Sequence, residues 1–237
     1  MPKWLVRLKG ERFDLEDLSK LLRSPEVKVV EENGSFYLWS SEFSSLTSAE
    51  EIHERGRALI KLINGVAKLN RDNFLEVSED SITQVEDAGK RHQYVFIEGA
   101  IIARAKVSAQ ATVITADGSE KAATQPSALE SLLEVAQKHN VVADALSFYR
   151  DDTWISLYKA YEIIRDDVGG KHRIIKNDWS VDSDINRFTQ TAQSRDALGD
   201  SARHASEKYK PPAQPMTFSE AKALIKTILL RWVASKT

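Results

Sequence analysis

Between positions 187 and 204 the chain sets Arg187, Arg195, Arg203 and His204 among Asn186, Thr189, Gln190, Thr191 and Gln193, with few large apolar groups between them. Guanidinium forks and an imidazole beside amides and hydroxyls hold phosphates and carboxylates through charge-assisted hydrogen bonds. The segment is a candidate polyanion-binding site. Its competing structural role is to set Arg203 and His204 against the negative end of a helix expected from Asp196 to Tyr209. A second candidate lies on the strand pattern from Gly99 to Ile114. One alternating face there carries Arg104 and Lys106, and the other, from Gly99 through Ile101 and Ala103 to Ala109, is small and apolar. Either a helix packs tightly on the small face, or Arg104 and Lys106 border a ligand-binding groove.

The run Arg165-Asp166-Asp167-Val168-Gly169-Gly170-Lys171-His172 separates an arginine from a histidine by six residues and places a polar residue after the arginine. That spacing resembles the motif of HEPN-type ribonuclease domains, which are compact helical bundles. The resemblance extends over the C-terminal helical half only. It implies metal-independent RNA cleavage in which the pair works with a dimer mate, so the chain would act as a homodimer. By the same resemblance His172 would be the acid/base group and Arg165 would stabilise phosphate charge.

Other chemistry has no foothold in the pattern. The sequence holds no Gly-rich phosphate loop, no Gly-x-Gly-x-x-Gly, no His-Glu-x-x-His and no Gly-x-Ser-x-Gly. His53, His92, His139, His172 and His204 are scattered, so no metal site and no cofactor are expected. With no cysteine there is no thiolate nucleophile and no disulfide framework. The acid pairs Glu31-Glu32, Glu50-Glu51, Asp151-Asp152 and Asp166-Asp167 read as caps at turns and helix starts. Tyr209-Lys210-Pro211-Pro212 reads as a spacer between helices or a polyproline ligand.

The elements that must carry these residues fall into two halves. Strands are expected at Trp4–Leu8, Val27–Val30, Phe36–Trp39, Phe74–Val77, Ile82–Val85 and Tyr94–Ile97. Asn33-Gly34 marks a tight type I′ hairpin and Asp87-Gly89 a further turn. A short helix carries Leu15, Leu18 and Leu22, opened by Asp14 and Asp17. A long one carries Ile52, Leu59, Ile63 and Val66, opened by a capping box over Thr47–Glu50.

After Gly118 only helical patterning follows. Ser127–Glu130 and Thr217–Glu220 are further capping boxes. Trp154, Leu157, Tyr158, Tyr161 and Ile164 make one apolar stripe, and Phe218, Ala221, Leu224, Ile228 and Trp232 make another. The expected fold is α+β: an N-terminal antiparallel sheet with two helices (1–118), a linker (119–126), then a C-terminal all-helical bundle (127–237).

Apolar residues make up 42% and charged residues 29%, the usage of a packed globular chain. A net charge of -2 gives no global attraction for nucleic acid, so any polyanion site must be local. The N-terminus lacks a signal-peptide core, and Glu98, Arg104 and Lys106 interrupt the apolar stretch from Val95 to Ala116. No membrane association and a cytoplasmic location are expected. Three functions remain in view: an adaptor whose helical half contacts RNA or an acidic protein partner, a metal-independent HEPN-like ribonuclease, and a small-ligand sensor using Arg104 and Lys106.

Overall fold

The computed structural model describes residues 3–86, 90–97, 100–107, 126–204 and 208–236, and at 97 and 100–107 the backbone alone. The fold is α+β, with the sheet in the N-terminal half and helices throughout the C-terminal half. Two compact units share the chain: Met1–Asn64 with Asn73–Ser131, and Gly65–Asp72 with Leu132–Thr237. The turn expected at Asp87–Gly89 and the linker expected at 119–126, apart from Pro126, lie outside the described residues.

The first unit contains β1 (Lys3–Lys9), α1 (Arg12–Leu21), β2 (Val27–Glu32), β3 (Ser35–Ser40), a 3-10 turn (Ser41–Ser45), α2 (Ala49–Asn70), β4 (Ser78–Val85), β5 (Arg91–Ile97) and β6 (Ala100–Val107). The strands pair antiparallel in the order β2-β3-β1-β4-β5-β6. Asn33 and Gly34, at φ 52° and 74°, make the two-residue turn that brings Glu32 opposite Ser35. Both residues tolerate the left-handed region, which is why this dipeptide closes hairpins.

Register assigns the two faces. Val29, Leu38, Val6 and Ile82 are cross-strand neighbours on one face, all nearly inaccessible to solvent. Helix α2 lies on that face, so close that a Cβ at Gly56 would sit 2.9 Å from Val6 Cγ2. The opposite face carries Lys28, Tyr37, Trp39, Leu5, Arg7, Thr83, Gln93 and Arg91.

Several expected local roles changed once long-range partners were in place. Phe74–Val77 is not a strand: the Asn64 side chain accepts from the Val77 N–H at 3.0 Å and donates to the Val77 carbonyl at 2.8 Å, taking both ladder groups. The capping box of α2 is Ser48 with Glu51, one residue later than expected. Helix α1 starts at Arg12, and Asp14 is buried there and accepts from the Leu75 N–H at 3.3 Å. Glu31 and Glu32 sit on β2 and pair with Arg12 and Arg91.

The second unit is built from α3 (Ala128–Lys138), α4 (Asn140–Arg150), α5 (Trp154–Asp167), α6 (Lys171–Lys176), α7 (Asp182–Gln193), α8 (Arg195–Leu198) and α9 (Phe218–Ala234), the first turn of α3 grouping with the sheet unit. The stripe Trp154, Leu157, Tyr158, Tyr161 and Ile164 is buried. On α9 the inward residues are Ala221, Ile225, Ile228, Leu229, Trp232 and Val233, while Phe218 and Leu224 stay half-exposed. Both boxes, Ser127–Glu130 and Thr217–Glu220, form.

Three acid assignments fail here. Thr153 caps α5, while Asp152, at φ 52°, binds Lys68 and Lys222. Asp166 and Asp167 close α5 instead of opening a helix, and pair with Arg165 and Lys236. The helix expected from Asp196 to Tyr209 stops at Leu198, because Gly199 turns the backbone to φ 58°. Arg203 and His204 therefore do not lie at the end of that helix; the Arg203 N–H instead donates to the Ala192 carbonyl, in the last turn of α7, at 2.8 Å.

Candidate functional site

The four groups of the expected polyanion site are distributed over α7, α8 and the segment after Gly199, and most are already engaged. Arg187 donates from Nε to the Gln214 carbonyl at 2.8 Å and from Nη2 to both Glu220 oxygens at 3.1 and 3.2 Å. Glu220 also accepts the Thr217 N–H at 2.7 Å, and that bond first, then Arg187, holds its carboxyl below the ordinary range. Arg187 thus ties the proline-rich connection to the first turn of α9. Arg195 lies 3.4 Å from Asp200. Arg203 donates to Glu162 at 3.0 Å and lies 4.4 Å above the Tyr158 ring, while His204 stacks on Tyr209 at 4.6 Å.

Glu162 joins the two helical candidates. It accepts from Arg203 and lies 3.8 Å from Arg165, whose Nε donates to Asp166 at 2.7 Å. That hydrogen bond depresses the Asp166 carboxyl. Gly169 and Gly170, at φ 84° and 120°, turn the chain from α5 into α6, and the Gly170 N–H donates to the Arg165 carbonyl at 2.7 Å. Arg165 and His172 consequently stand on either side of a helix–helix junction. Tyr161, beneath Arg165, is pushed up to about 12 by burial.

Helix α6 presents two cations, Arg173 and Lys176, beside the candidate His172. Ile174 is its buried anchor, and Lys171 is committed to Asp182 at 2.7 Å and Asn186 at 2.8 Å. His172, Arg173 and Lys176 are exposed, and among the described residues no carboxylate pairs with them. The signal was present in the sequence as the run Lys171-His172-Arg173-Ile174-Ile175-Lys176. More generally, Lys and Arg outnumber Asp and Glu in the helical unit, whereas acids are in excess in the sheet unit.

For Arg104 and Lys106 the backbone register is the available fact: they pair with Tyr94 and His92, on the α2 side of the sheet, and their side chains lie outside the described residues. Among the described residues no group of His, Asp and Glu could hold a metal ion, and no helix is long and apolar enough to cross a membrane. No family model matches the chain, and no curated protein or solved structure matches it.

Proposed function

We propose that this is a cytoplasmic binding protein whose helical unit contacts a polyanion, RNA in the first instance, through the face of α6. The carrying observation is the contrast between two sets of cations. Arg187, Arg195 and Arg203 are neutralised by Glu220, Asp200 and Glu162, so a phosphate must displace a carboxylate to reach them. His172, Arg173 and Lys176 need no such exchange. Uncommitted surface cations release counterions on binding a polyanion, and this is the main source of affinity for such ligands. Retention on heparin as a function of salt tests the reading. Replacing Arg173 and Lys176 with alanine should lower the salt at elution, whereas replacing Arg187 and Arg195 should leave it unchanged. The opposite pattern would return the site to α7 and α8.

The ribonuclease reading stays as a second proposal, on the observation that Arg165 and His172 flank the α5–α6 junction. Arg165 would have to exchange Asp166 for substrate phosphate, and His172 would move the proton. RNA cleavage in chelator by the wild type, lost in His172→Ala with RNA retention preserved, would support it. Inactivity of the purified homodimer or monomer would remove it.

A further inference from the structure

A cleft of about 550 Å3 opens in the helical unit between the start of α7 and the outer face of α9. Trp179 and Met216, almost fully buried, form its floor. Val181, 52% exposed, and the half-exposed Leu224 line its mouth, so the cleft is open to solvent. Volume and apolar lining are those of a site for a small flat group. The cleft is also continuous with α6. The Asp178 N–H donates to the Ile175 carbonyl at 3.0 Å and the Trp179 N–H to the Ile174 carbonyl at 3.1 Å, which folds the chain from the end of α6 straight into the cleft wall.

Five charged groups border the cleft, and they divide by whether they are already committed. Arg187 and Glu220 are paired with each other. Arg231 donates to the Asp178 carbonyl, a neutral partner, so among the described residues its charge meets no carboxylate. The carboxylates of Asp178 and Asp184 make no hydrogen bond or ion pair among the described residues. Asp184 is exposed and stands in the first turn of a 12-residue helix, which fixes its backbone against the cleft.

An ionised carboxylate only accepts hydrogen bonds, and its two oxygens accept them side by side. Among the RNA bases only guanine offers two adjacent donors on one edge, the ring N1–H and the 2-amino group. That edge is occupied in a duplex, so an unpaired guanine is required. Cations for the strand's phosphates flank the cleft, with Arg173 and Lys176 on α6 and Arg231 on α9. We infer that the α7–α9 cleft receives an unpaired guanine of an RNA strand, its edge on Asp184 and a neighbouring phosphate on Arg231. The inference rests on the α6 reading for the path of the strand, and adds the base that is selected.

The test is fluorescence anisotropy of the full chain with three labelled strands of about 10 nucleotides: oligouridylate, the same strand with one central guanine, and the same strand with inosine there. The guanine strand should bind about 10-fold more tightly than oligouridylate, as one bidentate pair provides. Inosine lacks the 2-amino group and should keep little of that gain. Asp184→Asn alters an exposed, unpartnered side chain, so the fold is kept; it should erase the guanine preference and leave oligouridylate affinity unchanged. Arg173→Ala/Lys176→Ala should weaken all three strands alike and preserve their ratio. The inference is overturned if wild type binds the guanine and uridine strands within about twofold of each other, too little for a bidentate pair. It is also overturned if Asp184→Asn keeps the preference; a lowered melting temperature in that variant would then make the acid a helix-end charge. The two readings fail separately. Binding through α6 without base preference removes the cleft alone, whereas an Asp184-dependent preference that the α6 variant leaves at full affinity removes α6 alone. Absence of binding to any strand removes both.

Discussion

Arg91 donates to Glu32 at 2.5 Å although β3, β1 and β4 lie between their strands, and the same guanidinium lies over Tyr37. The pair is a clasp across a curled sheet, and its two ends are unequal. Glu32→Gln removes the charge pairing alone, whereas Arg91→Met removes the pairing and the ring contact. Both side chains are about a quarter to a third exposed (27% and 30%), so the pair itself should contribute no more than about 1 kcal/mol. Urea denaturation should find Arg91→Met the more destabilising by about 0.5–1 kcal/mol. Equal losses would mean that Tyr37 adds nothing to the clasp.

Asn64 supplies both hydrogen bonds of a residue that would otherwise seek a strand partner. Asn64→Ala leaves the buried Val77 N–H and carbonyl unmatched, and should cost about 2–4 kcal/mol in chemical denaturation. A loss under about 0.5 kcal/mol would show that the ladder or water replaces the amide without strain.

Gly56→Ala sets two effects against each other. Alanine favours a helix over glycine by about 1 kcal/mol, while the new methyl group would collide with Val6, a core residue with no exposed surface. Overpacking costs about 1–3 kcal/mol, so the variant should be less stable by thermal melting. A raised melting temperature would mean that β1 and α2 separate by a few tenths of an ångström without penalty.

Asp152 sits between Lys68 and Lys222, whose side chains are only 15% and 16% exposed. Burial alone would raise its pKa, but the hydrogen bonds from Lys222 and Lys68 outweigh it and hold the carboxyl below its usual 3.8. A depressed carboxyl stabilises the fold above the unfolded-state value and loses that contribution as pH falls through the folded one. Stability measured from pH 6 down to pH 3 should therefore drop below about pH 4 in the wild type. Asp152→Asn should show a smaller drop, from a neutral-pH stability already lower by about 1–3 kcal/mol. Matching pH profiles in the two proteins would place the acid sensitivity elsewhere.

What the sequence revealed divides along the range of the interactions. Asn33-Gly34, Ser127–Glu130 and Thr217–Glu220 act within four residues and were legible as turns and caps. The buried stripes of α2 and α5 were legible because period alone decides which side chains meet the core. Leu224 misled because α9 turns Ile225 and Leu229 inward instead, a choice made by its neighbours. The acids Asp152, Asp167 and Glu32 were misread for the same reason, since Lys68, Lys222, Lys236 and Arg91 are remote in sequence. Gly199 was visible, but its power to end a helix about three turns early depended on a backbone angle that no spacing rule states.

The candidate sites suffered most from this blindness. Arg187 and Arg203 look like free cations in the sequence because Glu220 and Glu162 lie 33 and 41 residues away. Among the exposed members of α6, only His172 stands in a motif spacing that singles it out.

Helix α2 begins in one unit and ends in the other, for Gly65–Asp72 groups with the helices although it is encoded among the strands. A single recombination breakpoint near residue 120 would thus hand the helical unit on without Lys68, the partner of Asp152, and without Asp72, the partner of Lys226. Grafting the helical unit with its own partners onto another protein would need the 65–72 segment as well as the stretch from 132 onward.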